Sequence, residues 1–176
     1  MRIPLALATL FICALVVSGC VPRTPRAVAT PAPVFASEEE ALAAAEVAYG
    51  EYVALADQIL MEGGHDEQRM ASVITGQFLE TSLAEFNEAR AKGLHSIGST
   101  VFRNMQLQTF NPRGEPAVVV LVCEDVSGVD LVDKEGTSIV SDSRPDSTLL
   151  QVEFDGSLGL DRLRVSSRSA WSNDPC

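Results

Sequence analysis

Past its N-terminal stretch the chain has no hydrophobic run long enough to cross a membrane, which takes roughly 20 apolar residues. Histidine is scarce. His65 and His95 are the two, and no cysteine spacing around them matches a metal site, so no metal is expected. Basic residues are outnumbered, 13 Lys and Arg against 24 Asp and Glu, for a formal net charge of −11. Such an acidic chain does not bind nucleic acid or anionic lipid head groups through a basic face. Its acidity serves solubility, because Asp130-Leu131-Val132-Asp133-Lys134-Glu135-Gly136 lacks the carboxylate spacing of a calcium loop. There is no Ser-His-Asp set, no phosphate-cradling glycine loop, no dinucleotide fingerprint and no internal repeat, so no cofactor is implied.

What is present begins at the N-terminus. Met1-Arg2 is followed by an apolar run from Ile3 to Val17 and then by Ser18-Gly19-Cys20. A basic start, an apolar core and a small-residue end are the three parts of a secretory signal. Val17-Ser18-Gly19-Cys20 resembles the lipobox of bacterial lipoproteins, with Val17 in place of the commoner leucine. The resemblance implies cleavage between Gly19 and Cys20 and a lipid on the Cys20 sulfur. Residues 1–19 would then be a signal peptide, and the mature protein would sit on the extracytoplasmic face of the cell membrane. Two acyl chains suffice for stable anchoring, each buried CH₂ contributing about 0.8 kcal/mol. An uncleaved anchor and a plain cleaved secretory signal are the alternatives.

Residues 20–36 have tether composition: Pro22, Pro25, Pro31 and Pro33 lie among small residues. At about 3.1 Å per residue for proline-rich chain, the tether could hold a domain up to roughly 50 Å from the bilayer. Loss of Arg2 with the signal leaves the mature chain one unit more negative. Cys13 also leaves with the signal, and Cys20 carries lipid. Cys123 and Cys176 remain, and in an oxidising compartment such a pair is expected to form a disulfide. It would close a long loop, worth roughly 4 kcal/mol in the chain-entropy model, and tie the C-terminal tail to a central strand.

Residues 37–176 read as one domain. Ser37-Glu38-Glu39-Glu40 is a capping box that opens a helix to about Met61. Leu42, Ala45, Tyr49, Tyr52, Val53, Ala56, Ile59 and Leu60 give it one apolar face, and Gly63-Gly64 stops it. A shorter helical piece covers Asp66 to Ile74. A third helix runs from Gln77 to Lys92 with Phe78, Leu79, Leu83 and Phe86 inward, ending at Gly93.

After His95 the period becomes strand-like. In 99–110, Val101, Met105 and Leu107 point one way and Asn104, Gln106 and Gln108 the other. Residues 117–123 are apolar on both sides, as in a central strand. Ser147 to Phe154 sends Leu150, Val152 and Phe154 to one face. Asp155-Gly156 reads as a hairpin turn. A last strand over 158–169 sends Leu163 and Val165 to one side, with Arg162, Arg164 and Arg168 on the other. Helices first and strands after predict an α+β layer, the helices packed on one face of a curved antiparallel sheet of about four to five strands. The opposite face is polar, which argues for a monomer.

The order of elements resembles the cystatin-like superfamily that includes nuclear-transport-factor-2-like domains, and more narrowly small lipoproteins of actinobacteria. The residues that carry it are Ala48-Tyr49-Gly50-Glu51-Tyr52, Cys123-Glu124-Asp125, Val132-Asp133-Lys134-Glu135-Gly136, and Trp171 with Cys176. The superfamily holds isomerases, dehydratases, scaffolds and ligand-binding proteins, so the resemblance implies a fold and a cone-shaped cavity rather than a reaction. Tyr49, Tyr52, Asp57 and His95 are the candidate cavity residues, since an isomerase or dehydratase site there would use a carboxylate base and a tyrosine. The leading expectation is a non-catalytic binding or accessory domain, taking an envelope protein or a small apolar or cell-wall ligand.

Overall fold

The computed structural model describes residues 35–156, 162–172 and 176. The expected signal peptide, Gly19, Cys20 and nearly all of the tether lie outside them. Helix α1 is Glu38–Met61. Ser37 caps it, its hydroxyl accepting from the Glu40 amide at 3.2 Å, and the Glu40 carboxylate accepts from the Ala36 amide at 2.8 Å. The reciprocal bond of the capping box thus reaches one residue further out than the usual N-cap amide. Gly64 closes the helix at φ +76°, its amide donating to Ile59 at 2.8 Å. A Cβ there would lie 2.3 Å from the Phe86 carbonyl oxygen, so the position requires glycine for its backbone and for its neighbour alike.

The second helical piece is a 3-10 helix, Glu67–Ser72, and α2 follows at Gly76–Lys92, ended by Gly93 at φ +69°. Strand β1 is His95–Ile97, β2 Val101–Phe110, β3 Val118–Asp125, β4 Asp130–Val132, β5 Ser147–Gly156 and β6 Leu163–Ala170. The main sheet is antiparallel in the order β2-β3-β5-β6, and β1 pairs with β4 in a separate two-stranded ribbon. The helices pack on one face of the main sheet, as expected for an α+β layer. The small ribbon has no counterpart in the sequence reading, because three-residue strands are too short to show a period. Among the described residues no helix is long and apolar enough to cross a membrane.

The core lies between α1 and the sheet. Ala45, Tyr49, Val53 and Ile59 of α1 meet Val118, Val120 and Val122 of β3, Val152 and Phe154 of β5, and Leu163 and Val165 of β6. Strand β3 is central and apolar throughout, as read.

Two expectations about side-chain direction fail, both at bulges. In β2 the register with β3 shifts between Arg103 and Gln106 and again between Leu107 and Thr109. Each shift inserts one extra residue and reverses which face the next side chain takes. Asn104, at φ +57°, lies within the first shift. Phe102, not Val101, therefore faces the core, then Met105 and Leu107, then Phe110; Val101 is 57% exposed.

In β6, Val165 is opposite Phe154, and Arg168 is opposite Val152. Three residues on β6 span two on β5, so Arg168 lands on the helix side with Val165. It is not on the polar face with Arg164. Arg162 precedes β6 and forms an ion pair with Glu51 of α1. Asp155-Gly156 is not the hairpin turn either, since both residues pair within the ladder, with Arg164 and Leu163.

Cys123 and Cys176 are bonded, with Cα atoms 5.8 Å apart and a sequence separation of 53. Cys123 alternates with the core-facing Val122 and Glu124, so the bridge lies on the sheet face away from the helices. A Cys123→Ser/Cys176→Ser variant is expected to lose about 2–4 kcal/mol of unfolding free energy, read as a lower urea midpoint with reductant-independent unfolding. An unmoved midpoint would mean that the bridge does not restrain the unfolded chain.

Candidate functional site

The alternation that buries Val118, Val120 and Val122 carries one residue further and turns Glu124 toward α1. There it meets Tyr49, whose hydroxyl donates to Glu124 Oε2 at 2.6 Å. Arg168, brought inward by the β6 bulge, forms an ion pair with Glu124 and donates from Nε to the Tyr49 oxygen at 3.3 Å. The three groups come from α1, β3 and β6. Glu124 is 7% exposed. A carboxylate buried so deeply is tolerated because a cation and a hydroxyl meet it.

An aromatic cluster surrounds this triad. The Tyr49 ring stands edge-on to Phe102 at 5.1 Å between centroids and tilts against Tyr52 at 5.5 Å, and Tyr52 in turn meets Phe78 of α2 at 5.7 Å. Burial pushes the Tyr49 hydroxyl well above the usual phenol range, reinforced by the Glu124 charge. Burial also pushes Tyr52 up to about 12, against the opposing pull of Arg168. For Arg168, burial works against the charge, but Tyr52, Tyr49 and Glu124 outweigh it and the guanidinium is held protonated.

Two openings flank the triad and share Tyr52 and Arg168. The larger, about 420 Å³, runs between α2 and β6, with Phe78, Ser82, Glu85 and Ser167 among its walls. The smaller, about 130 Å³, reaches Asp57, Thr100 and Glu124. The structure thus brings Tyr49, Tyr52 and Asp57 into one region. Tyr49 is fully buried, with its hydroxyl engaged by Glu124 and Arg168. Asp57 accepts from the Thr100 amide at 2.7 Å and from its hydroxyl at 2.9 Å, which fastens α1 to the start of β2. His95 lies apart from them, in the β1–β4 ribbon opposite Val132. His65 is exposed. Among the described residues no group of three His, Cys, Asp or Glu side chains is placed to hold a metal ion.

Sequence reasoning missed Glu124 and Arg168 as partners. Glu124 was findable, being the next even-numbered residue after three inward valines. Arg168 was not, because a bulge decided its direction.

No family model and no curated protein matches the sequence. Among solved structures, the chain is similar to the intermembrane-space region of the chloroplast protein ARC6. The TM-score is 0.52 at 12% identity, over 73% of this chain and 95% of that one. A de novo designed β-sheet protein aligns at 15% identity over 77% of this chain and 94% of that one, with a TM-score of 0.32. The first likeness shows a shared α+β fold; neither bears on chemistry.

The chain has two tyrosines, Tyr49 and Tyr52, both held neutral by burial. Their folded-state pKa values lie above the unfolded value near 10, so their contribution to stability is complete below that pH and is lost as pH rises toward 12. Tyrosinate absorbance should therefore appear together with loss of circular dichroism; tyrosinate forming at pH 10 in folded protein would contradict this.

Glu124→Gln and Arg168→Met should each cost about 3 kcal/mol, the low end for breaking a buried pair, because the Arg168 side chain keeps 29% exposure. The double variant should cost less than the sum of the two, as measured by chemical denaturation.

Proposed function

We propose that the chain is a lipid-anchored protein of the extracytoplasmic face of a bacterial membrane, whose folded domain is a binding or accessory module working at that surface. The observation that carries this reading is the Cys123–Cys176 bridge, which belongs to a domain that matures in an oxidising compartment. It agrees with the lipobox-like Val17-Ser18-Gly19-Cys20 and with the proline-rich stretch behind it. Cys20 carries the lipid, residues 1–19 are removed, and residues 20–36 hold the domain off the bilayer.

A binding role is supported by how the polar groups are used. Tyr49 and Glu124 fasten helix to sheet, and Asp57 fastens a loop, so these groups are committed to holding the fold. The 420 Å³ cleft lies within the roughly 300–1,000 Å³ range of small-molecule sites. The domain acts as a monomer that receives a ligand or an envelope partner.

Expressed in a lipoprotein-competent bacterium, the wild-type chain should take up labelled fatty acid and sediment with membranes. Cys20→Ala should take up none and stay as unprocessed precursor. Fatty-acid labelling that persists in Cys20→Ala would overturn the anchor.

A further inference from the structure

We infer that the cleft between α2 and β6 is a binding site for a neutral saccharide, an inference that rests on the domain being a ligand binder. The first support is Ser82. It is 6% exposed and lines the cleft from α2, and its hydroxyl makes no hydrogen bond with any described residue. Of the other serine and threonine hydroxyls on the cleft, Thr81 donates to the Gln77 carbonyl at 3.1 Å and Ser166 to the Glu153 carbonyl at 3.3 Å, while Ser167, like Ser82, is left for a ligand. The Ser82 hydroxyl opens on the cleft with no partner among the described residues, so it is free to meet a ligand hydroxyl that enters.

The second support is the arrangement of charge. Arg168 lines the cleft, but its charge is already met by Glu124. A small anion therefore gains little there and is repelled by Glu85 on the same wall, whose carboxylate has no ion-pair partner among the described residues. A small cation drawn to Glu85 meets Arg168. A neutral ligand carrying both donors and acceptors has no such conflict. Arg168 Nη1, which makes no hydrogen bond with a described residue, can donate to it; Glu85 can accept; Ser82 can do both.

The third support is the apolar part of the wall, where Tyr52 and Phe78 present aromatic rings. A pyranose has one C–H face for such rings and an edge of hydroxyls for Ser82, Glu85 and Arg168. It fits the mixture better than a purely apolar molecule, which would leave those polar groups dry and unpaired.

The test is NMR titration of the full-length, ¹⁵N-labelled protein in detergent. The probes are N-acetylglucosamine and methyl glucoside, set against acetate, tetramethylammonium and alanine. Either saccharide should give saturable shifts centred on the amides of α2 and β6 that border the cleft. Acetate, tetramethylammonium and alanine should bind at least about tenfold more weakly. Ser82→Ala and Glu85→Ala should each weaken saccharide binding about tenfold, while Glu80→Ala, on the same helix but outside the cleft, should leave it unchanged. Glu80 and Glu85 are exposed, so these two variants keep the fold even if Ser82→Ala disturbs it.

Shifts from acetate, tetramethylammonium or alanine that exceed those from both saccharides would overturn the ligand class and leave the binding role standing. No saturable shift from either saccharide up to its solubility limit, or wild-type affinity in Glu85→Ala, would overturn the inference. The anchor is read separately, from fatty-acid labelling.

Discussion

A glutamate and an arginine lie in the interface between α1 and the sheet, and each is tolerable there because of the other. Glu124 ends the apolar half of β3, Arg168 crosses from β6, and the Tyr49 hydroxyl closes the arrangement from α1. Burying either charge alone would cost several kcal/mol. Together with a hydroxyl they join three elements at one point. The aromatic cluster packs around that point, and two openings border it through Tyr52 and Arg168. The position of Tyr52, and with it one wall of the cleft, follows from where Tyr49 is pinned.

Much of the fold is legible in residue order. Ser37 and Glu40 announce the start of α1, Gly64 and Gly93 the ends of the helices, and the unbroken apolar run of 117–123 the central strand. These features are local: a cap, a positive φ or a run of valines is decided within a few residues. The two cysteines that remain after the proposed lipid site and signal also paired as expected, because there was one way to join them.

Side-chain direction in β2 and β6 was not legible. A strand read from its sequence is assumed to keep a period of two, and one extra residue reverses that assignment for everything beyond it. A strict period of two puts Val101 on one face with Met105 and Leu107; it faces solvent instead, and Phe102 holds the place against Tyr49. Arg168 was assigned to the solvated face with Arg164 and instead enters the core interface. Bulges arise from how two strands must twist and meet, and neither Asn104 nor the serines before Arg168 forces one by itself. The β1–β4 ribbon was missed for a related reason. Its register is set between segments some thirty-five residues apart, where Gly98, at φ +89°, lies so close to the Gly128 carbonyl that a Cβ would collide with it.

Short, contiguous patterns are legible in residue order alone: an apolar N-terminal run ending in small residues and a cysteine, a proline-rich stretch, helices followed by strands, and an excess of acidic residues. Tertiary structure decided the candidate site. It selected Glu124 and Arg168 from among many charged residues, engaged Tyr49 and Asp57 within the fold, left His95 aside, and opened a cleft on Ser82 and Glu85. The reason is physical. A cap or a turn depends on its neighbours in the chain, whereas the pairing of a buried charge depends on which side chains three separate elements bring to the same few ångströms.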